Sequence, residues 1–400
     1  MSSRIILHID LNQFFATCEQ LKNPQLVGKP LIVGGDGRSG IVSTASYEAR
    51  KFGIHSGMPT FQAKMLCKDL IICGCDFKYY ELMSKEFINY IKKFSPLVEQ
   101  VSVDECFVDI TDSYKQICNG NIDEMLFKIQ NGLFEKTKLR CSIGVAPTKF
   151  LAKMGSDIKK PMGITIIRKR DIKSKIFPLP IKSYFGIGKK TYPKLEAIGI
   201  DTIGKLYYAL KQKNTSVSNI LGNMCDYYIK ELEGNSDDVL NTTIADPKSI
   251  GVTRTLSSDS NDQLYLNDYL LNLAKGVIKD LISKNLLTKT ITICFKDADY
   301  ENAHFKVTSF SKSFNEPIDD ENKILKSTSE LFYKSYDGRL IRLIGFSVKN
   351  LKEKHEIVKQ LTFDNFEQNE KEDKTKMIIS ELNRKTNSNT FIRLSDLKKK

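Results

Sequence analysis

Hydrophobic and polar positions alternate along the chain in runs that predict most of its secondary structure. Residues 5–9 form a nearly continuous apolar run, Ile-Ile-Leu-His-Ile, that ends at Asp10. A strand that is covered on both faces has such a continuous apolar run, whereas in a strand exposed on one face apolar and polar residues alternate. The pattern therefore predicts a central strand, followed by helix-compatible sequence over residues 12–21.

Strand and helix patterns continue through the first 170 residues. β-branched and aromatic residues predict a strand over residues 98–110, interrupted by Asp104 and Glu105. Helix periodicity and further β-branched runs add two helices and two strands, over residues 84–94, 123–138, 140–146 and 163–168. This order predicts an α+β domain with a mostly antiparallel sheet.

The texture of the sequence changes near residue 170. Residues 172–234 hold short helical patterns separated by glycine, and residues 235–247 are rich in Asn, Asp, Ser and Thr, as a linker would be. The following order of elements is βαββαβ, which predicts a small separate α+β domain. Its elements are predicted over residues 249–256, 263–284, 289–295, 305–310, 321–334 and 339–348.

Length and charge narrow the function classes. The chain has 400 residues, 41% hydrophobic and 27% charged, which predicts two to four folded domains and excludes a wholly disordered chain. Its 61 Lys and Arg against 48 Asp and Glu give a net charge of +13. That excess predicts a polyanionic partner, with nucleic acid first. No apolar stretch approaches the roughly 20 residues of a membrane span, so no membrane partner is expected.

The nine cysteines are scattered and include no Cys-x-x-Cys pair. A disulfide framework or a structural zinc site is therefore not expected. Reduced thiols and a cytoplasmic location are the prediction.

Three carboxylates occupy costly positions. Asp10 ends a buried strand, and Asp104 and Glu105 interrupt another apolar strand. Burying them requires a cation or hydrogen-bond donors. Neighbouring residues on a regular strand point to opposite faces, so Asp104 and Glu105 share a site only if the chain turns there. Such a cluster suits two-metal phosphoryl transfer with Mg²⁺; the alternative is that these carboxylates merely end strands in solvent.

Basic and aromatic residues near this cluster suit a triphosphate. Tyr47 and Arg50 are three residues apart and share one helix face, where they can present a hydroxyl and a guanidinium group. Residues 159–163 add a lysine pair before a proline turn. Taken singly, each motif is equally compatible with an exposed helix face or a basic loop.

At these residues the sequence closely resembles the Y-family (translesion) DNA polymerases, of the bacterial polymerase IV type. Matching motifs occur in the family's order and spacing over about residues 4–350. They are residues 8–16, 44–50, 102–109, 142–149 and 160–163. Several motifs in register are far more specific than any one of them.

The resemblance implies an α+β right-hand polymerase with palm, fingers, a thumb containing a helix-hairpin-helix, and a βαββαβ little finger. The implied boundaries are palm 1–10 and 76–165, fingers 11–75, thumb 166–240, linker 241–247, little finger 248–350 and a C-terminal tail 351–400.

The resemblance also implies the active-site residues. Asp10, Asp104 and Glu105, with the backbone carbonyl of Leu11, would bind two Mg²⁺ ions, and Asp104 and Glu105 would be the catalytic pair. Phe15 matches the steric gate, an aromatic ring that clashes with a ribose 2′-hydroxyl. The implied nucleotide-binding residues are Phe14, Phe15, Ile41, Thr44, Tyr47, Arg50 and Lys160. Gln13 departs from the family pattern, so the resemblance does not predict the residues that form the floor of the nucleotide site.

Residues 185–190, Phe-Gly-Ile-Gly-Lys-Lys, resemble the hairpin of a helix-hairpin-helix, whose glycines let backbone N–H groups approach a DNA phosphate. Residues 166–245 carry a net charge of +5, whereas residues 246–350 carry only +1. DNA contacts in the last domain must therefore come from a few suitably positioned Lys and Arg side chains, since its net charge is small. The expected DNA-binding residues are Gly186, Gly188, Lys189, Lys190, Lys248, Arg254 and Arg342.

The segment Gln360-Leu361-Thr362-Phe363 resembles a sliding-clamp peptide but lacks its leucine-phenylalanine end. Gln360, Leu361 and Phe363 are the candidate clamp-binding residues, and an ordinary amphipathic tail is the alternative.

These features predict a monomeric enzyme that copies damaged DNA templates from deoxynucleoside triphosphates. Palm, fingers, thumb and little finger use nearly all of the chain, so no proofreading nuclease is expected. Two other classes stay open. A palm-type nucleotidyl cyclase would not require a helix-hairpin-helix, and a non-catalytic DNA- or clamp-binding scaffold would not require all three carboxylates.

Overall fold

The computed structural model describes residues 4–236, 239–243, 246–301 and 304–354, together with residues 378 and 382. The chain divides into two compact units, Met1–Ala245 and Asp246–Lys400. This division falls inside residues 241–247, the segment predicted as a linker.

The first unit is built of short strands and helices. In chain order its elements are β1 Ile6–Leu11, α1 Phe14–Lys22, β2 Leu31–Gly34, β3 Val42–Ala45, α2 Tyr47–Arg50, α3 Thr60–Leu66, β4 Ile71–Cys73, α4 Phe77–Ile91, β5 Val98–Gln100, β6 Glu105–Asp109, α5 Ser113–Ile117, α6 Ile122–Thr137, β7 Cys141–Ala146, α7 Lys149–Ile158, β8 Ile164–Ile166, α8 Ile172–Lys175, α9 Tyr192–Ala197, α10 Ile203–Lys211, α11 Thr215–Leu221 and α12 Cys225–Leu232.

A five-stranded sheet in the order β5-β6-β1-β7-β8 organises this unit, and only the β7–β8 pair is parallel. All six residues of β1 are buried, which confirms the predicted central strand. Leu7 and Ile9 join the core built with α4 and α6, while Ile6 joins a second core that includes residues of α7. Because side chains alternate along a strand, His8 and Asp10 share the face of Ile6.

Two strand boundaries differ from the sequence-based prediction. β1 does not end at Asp10, because Leu11 also pairs with Cys141 of β7. The predicted strand over residues 98–110 divides into β5 and β6, which pair antiparallel on either side of a turn. Asp104 lies in that turn and Glu105 begins β6.

Gly144 allows helix α7 to lie directly on the sheet. A Cβ atom added at Gly144 would overlap the carbonyl oxygen of Ala152 and crowd the backbone nitrogen of Ser156. Both of these residues belong to α7. The contact brings the middle of α7 against β1 and β7.

A three-stranded sheet and a group of short helices complete the first unit. A three-stranded sheet, β3-β2-β4, packs Ile32, Val42 and Ala45 against neighbouring apolar residues. Helices α8–α12 contribute to the core shared with α7 and surround Tyr184 and Leu206. Among the described residues 172–234, the short glycine-separated helices expected from the sequence are present.

The second unit confirms the predicted βαββαβ order. Its elements are β9 Ser249–Ser260, α13 Gln263–Ser283, β10 Leu286–Glu301, β11 His304–Ile318, α14 Glu321–Ser335 and β12 Ile341–Glu353, with the antiparallel sheet order β11-β10-β12-β9.

Apolar residues of both helices pack on one face of this sheet. β10 and β11 are both longer than predicted, and β11 continues past residue 310 because its polar residues also pair with β10. The hydroxyls of Thr290 and Ser313 lie 2.9 Å apart, as do those of Thr292 and Ser311. Across the described part of the chain, no helix combines the length and apolar character needed to cross a bilayer.

Two glycine substitutions test the packing. We expect Gly144→Ala to destabilise the first unit by about 3 kcal/mol, because the added methyl must push α7 off the sheet. Gly276→Ala is the matched control: it lies inside α13 with open space around the added Cβ. It should stabilise the second unit by about 0.5–1 kcal/mol. Urea unfolding followed by circular dichroism measures both, and a Gly144→Ala protein as stable as wild type would contradict the close contact.

Candidate active site

Two carboxylates face each other on the central sheet. Asp10 of β1 and Glu105 of β6 are directly opposite partners in the antiparallel pair. Residues opposite each other in such a pair have Cβ atoms about 5 Å apart, so strand register alone brings the two side chains together. Asp10 is buried and Glu105 is half-buried.

Asp104 lies beside this pair, in the turn between β5 and β6. Its carbonyl oxygen accepts a hydrogen bond from the Leu11 backbone N–H at 2.9 Å, which ties the turn to the end of β1. Its carboxylate accepts a hydrogen bond from the Ser102 hydroxyl at 2.6 Å. All three predicted carboxylates, and Leu11, therefore belong to one end of the β1–β6 pair.

Two lysines contact the buried carboxylates. Lys153 Nζ lies 2.7 Å from Glu105 Oε1 and 3.3 Å from Asp10 Oδ2. Lys160 Nζ lies 2.7 Å from Asp10 Oδ2 and 2.8 Å from Asp157 Oδ1. The ammonium groups offset much of the cost of removing the carboxylates from water.

Sequence reasoning missed Lys153 and assigned no role to His8. Lys153 lies within the buried run of α7, a helix that the sequence analysis did not predict. His8 precedes Asp10 by two residues on the same strand face; its Nδ1 lies 2.8 Å from the Ser156 hydroxyl and its Nε2 lies 3.7 Å from Glu105 Oε2. The two-residue period of β1 is the signal that could have linked His8 to this site.

The environment separates the pKa values of the two carboxyl groups. Burial and, next, a hydrogen bond with Glu105 raise the pKa of Asp10, Lys160 and Lys153 lower it, and the net result is a pKa of about 6. Burial also raises the pKa of Glu105, but hydrogen bonds with His8, Asp10 and Lys153 outweigh it, so this pKa is lowered overall. Because the pKa of Asp10 lies above that of Glu105, a proton bound by this pair resides mainly on Asp10.

The donor set fits a hard divalent cation. Carboxylate oxygens and a backbone carbonyl are the ligands that Mg²⁺ takes in phosphoryl-transfer sites. Two ammonium groups within hydrogen-bonding distance of Asp10 and Glu105 show that this end of the sheet attracts positive charge. Within the described residues, no three His, Cys, Asp or Glu side chains are arranged to hold a metal ion as they stand.

Tyr47 and Arg50 lie together on the four-residue helix α2. The guanidinium carbon of Arg50 is 4.9 Å from the centre of the Tyr47 ring, and Arg50 Nε donates to the Ala45 carbonyl at 3.0 Å. Gln13 Oε1 accepts a hydrogen bond from the Tyr47 backbone N–H at 2.6 Å. The residue that departs from the family pattern therefore joins α2 to the segment after β1.

The adjacent aromatics Phe14 and Phe15 have different surroundings. Phe14 is only 2% exposed, so its backbone alone is available to a nucleotide. Phe15 is half-buried and stacks on Tyr80, with ring centres 4.4 Å apart and planes inclined by 17°. Tyr80 donates a hydrogen bond to Glu19 at 2.6 Å, which fixes the ring beneath Phe15.

Two other predicted nucleotide residues lie at the small sheet. Thr44 is half-buried on β3, opposite Val33 of β2. Ile41 is exposed just before β3.

The predicted hairpin of residues 185–190 lies between a short 3₁₀ helix, Ile181–Ser183, and α9. Gly186 has a φ of 101°, a conformation that favours glycine. The Gly188 carbonyl accepts hydrogen bonds from the backbone N–H groups of Thr191 and Tyr192. Lys189 and Lys190 are exposed beside this turn.

The predicted DNA-binding cations of the second unit are dispersed. Lys248 is exposed just before β9. Arg254 lies on the edge strand β9 opposite Ile344, which places it on the sheet face that carries the helices. The guanidinium nitrogen Nη1 of Arg342 lies 4.0 Å from Asp259 Oδ1. The candidate clamp residues Gln360, Leu361 and Phe363 lie outside the described residues.

Comparison with known proteins decides the family. The impB/mucB/samB family matches residues 9–157, and its C-terminal domain matches residues 247–363. DNA polymerase IV 1 of Bacillus subtilis is 36% identical over 405 aligned residues, which cover 99% of this chain and 94% of that protein. The chain belongs to the Y-family DNA polymerases.

Solved Y-family structures agree with this assignment. A Y-family polymerase chimera of Dbh and Dpo4 superposes with a TM-score of 0.75 at 28% identity, covering 87% of this chain and 99% of that one. An insertion ternary complex of Dbh DNA polymerase gives a TM-score of 0.57 at 28% identity, with the same coverage. The predicted family and right-hand polymerase fold are confirmed, and the enzyme is a DNA-directed DNA polymerase that requires a divalent metal.

Asp10 provides a pH-dependent prediction for the metal-free protein. Its pKa rises from 3.8 to about 6 on folding, so the folded state binds this proton more tightly than the unfolded state. The resulting stabilisation is complete below pH about 4 and is lost as the pH rises through about 6. At about 1.36 kcal/mol per pKa unit, the loss is at most about 3 kcal/mol.

The non-titrating variant Asp10→Asn isolates this effect. We expect the free energy of unfolding of wild type to fall relative to Asp10→Asn between about pH 4.5 and pH 7. Urea unfolding in EDTA at several pH values measures the difference. A difference that stays constant across this range would show that the Asp10 pKa is not raised.

Proposed function

We propose that this chain extends a DNA primer opposite damaged as well as intact template bases, by two-metal phosphoryl transfer. Translesion synthesis is the activity of the family to which the chain belongs. The observation that carries the mechanism is the register of β1 and β6, which sets Asp10 opposite Glu105 with Asp104 in the adjoining turn. Its substrates are primer-template DNA and deoxynucleoside triphosphates.

Asp10, Asp104 and Glu105 would hold two Mg²⁺ ions, with the carbonyl oxygen of Leu11 as a further ligand. When bound, the ions lower the pKa of the primer 3′-hydroxyl and neutralise the leaving pyrophosphate. Asp104 and Glu105 orient the reacting groups by holding them at the end of β6. Asp104 must turn from Ser102 to do so.

Residues beside the carboxylates position the nucleotide. Tyr47, Arg50 and Lys160 bind the triphosphate, with Thr44 assisting, because a hydroxyl, a guanidinium fork and ammonium groups suit phosphate oxygens. Ile41 lies over the incoming base. Phe15 excludes the ribose 2′-hydroxyl, and the Phe14 backbone lines the same floor.

The DNA duplex is held by phosphate contacts. Backbone N–H groups at Gly186 and Gly188, with Lys189 and Lys190, bind phosphates from the thumb, and Lys248, Arg254 and Arg342 contribute from the little finger. Such contacts make binding fall as salt rises.

The proposed domain boundaries are those given by the sequence: palm 1–10 and 76–165, fingers 11–75, thumb 166–240, linker 241–247, little finger 248–350 and tail 351–400. We propose a cytoplasmic, monomeric enzyme without proofreading. Gln360, Leu361 and Phe363 would bind the sliding clamp.

The test of the reaction is primer extension on intact and abasic templates with Mg²⁺. Asp104→Asn should reduce extension about 1,000-fold, because it removes a charge aimed at the developing transition state. Asp112→Asn is the matched control, since Asp112 is exposed before α5 and away from the site. Undiminished extension by Asp104→Asn would overturn the two-metal assignment.

Phe15 provides a separate test of nucleotide selection. Phe15→Ala should reduce discrimination against ribonucleotides about 100-fold, because the ring that meets the 2′-hydroxyl is removed. Phe77→Ala is the control: Phe77 also contacts Tyr80 and lies edge-on to Phe15, with centres 6.1 Å apart. Single-nucleotide incorporation of dNTP and rNTP measures the ratio. An unchanged ratio in Phe15→Ala would remove Phe15 as the gate.

A further inference from the structure

Lys160 has two partners in this structure and a third in the proposed function. Its ammonium nitrogen bridges Asp10 Oδ2 at 2.7 Å and Asp157 Oδ1 at 2.8 Å. The same ammonium is proposed to bind the triphosphate of the incoming nucleotide. Asp10 is in turn a proposed metal ligand, so one lysine stands between the metal site and the nucleotide site.

The loop that carries Lys160 is anchored beside Asp10. The Met162 backbone N–H donates to Asn12 Oδ1 at 2.9 Å, and Asn12 Nδ2 donates to the Ser142 hydroxyl at 2.9 Å. Asn12 follows Asp10 by two residues, so this bond holds the loop at the end of β1. The Lys160–Asp10 contact thus joins two segments, the end of β1 and the loop after α7, that backbone and side-chain hydrogen bonds already hold together.

An ammonium group and a metal ion compete for the same carboxylate oxygen. A Mg²⁺ ion needs an oxygen lone pair at about 2.1 Å, the side of the oxygen on which a hydrogen-bonded ammonium also lies. Two cations held so close together also repel each other, and more strongly where water is partly excluded. Asp10 Oδ2 already accepts hydrogen bonds from both Lys160 and Lys153, so a metal ion that binds this oxygen competes with the Lys160 ammonium.

Lys153 and Lys160 differ in their freedom to leave. Lys153 lies in the middle of α7 with a side chain only 10% exposed, and it contacts both Asp10 and Glu105. Lys160 lies after the end of α7 with a side chain 26% exposed, and Asp157 offers it a second partner on its solvent side. Lys153 is a fixed counter-ion, whereas Lys160 can turn outward toward Asp157 while Lys153 stays in contact with Asp10.

We propose that Lys160 is a removable cap on Asp10, which competes with the metal ion until a nucleotide triphosphate draws the ammonium away. The inference rests on the proposed roles of Asp10 and Lys160. Because binding free energies are linked reciprocally, the nucleotide strengthens metal binding at Asp10 and metal strengthens nucleotide binding. The free enzyme accordingly holds metal weakly at this carboxylate.

Direct metal binding tests the cap without measuring activity. Mn²⁺ binding to the full chain, free of DNA and nucleotide, is followed by the electron paramagnetic resonance signal of unbound Mn²⁺. We expect Lys160→Met to bind Mn²⁺ at least about five-fold more tightly than wild type. Lys160→Gln, a polar substitution, should give the same gain, and circular dichroism checks that both variants fold.

Two further variants locate the effect. Lys159→Met removes the adjacent exposed lysine from the same loop and should leave Mn²⁺ affinity within about two-fold of wild type. Asp10→Asn combined with Lys160→Met should lose the gain, because the oxygen that the ammonium covers is no longer charged. A gain that survives Asp10→Asn, or appears equally in Lys159→Met, would reduce the effect to general electrostatics and overturn the cap.

A second measurement addresses the nucleotide. A saturating exchange-inert chromium(III) complex of a dNTP supplies the triphosphate with its own metal, so added Mn²⁺ reports the remaining site. This complex should strengthen Mn²⁺ binding to wild type by a larger factor than to Lys160→Met. Equal factors in the two proteins would contradict the coupling.

The outcomes separate this inference from the proposed function. If wild type extends primers but Lys160→Met binds Mn²⁺ no more tightly, the cap is wrong and the polymerase mechanism stands. If Lys160→Met binds Mn²⁺ more tightly but wild type does not extend primers, Lys160 still covers Asp10 and the proposed reaction fails.

Discussion

The pairing of Asp10 with Glu105 across β1 and β6 is the constraint on which the first unit depends. Two carboxylates enter the edge of a hydrophobic core because backbone hydrogen bonds fix the strand register that opposes them. The cost of that burial must be met on the same sheet face, and α7 meets it by supplying Lys153. The order of the strands, the position of α7 and the charge balance of the site therefore depend on one another.

Shared protonation follows from the same arrangement. Like charges held this close cannot both ionise freely, so their pKa values separate. Hydrogen bonds favour the charged form of Glu105, while the more buried Asp10 keeps the proton to a higher pH. In the proposed function, a divalent metal would supply the compensating positive charge in place of the proton and of the Lys160 ammonium, while the strand register of Asp10 and Glu105 stays the same.

The sequence predicted the parts of this site that depend on local pattern. The apolar run that leads to Asp10, and the Asp104-Glu105 pair that interrupts another apolar run, can be read from the sequence alone. The match of motifs then predicted the family and the fold. Lys153 was not predictable in the same way, because its role depends on α7 lying across β1 from 143 residues away in the chain.

The boundaries that differed depend on non-local pairing as well. β1 continues through Leu11 because β7 pairs with it there and the Asp104 carbonyl in the β5–β6 turn accepts its backbone N–H. β11 continues past the apolar segment because Ser311 and Ser313 find threonine hydroxyls across the sheet. Phe14 and Phe15 are adjacent residues of the same type, so the sequence does not distinguish them. The orientation of α1 places Phe14 in the core and stacks Phe15 on Tyr80.

Gly144 has a consequence for chemistry as well as for packing. Its missing side chain lets Ala152 rest on β7, and Ala152 is the residue before Lys153. The distance between the Lys153 ammonium and Glu105 thus depends on the small size of Gly144, a residue without a side chain. A methyl group there would act as a spacer between helix and sheet, lifting the counter-ion from its carboxylates. The missing Cβ of Gly144 therefore sets where Lys153 meets the carboxylates as well as how α7 packs on the sheet.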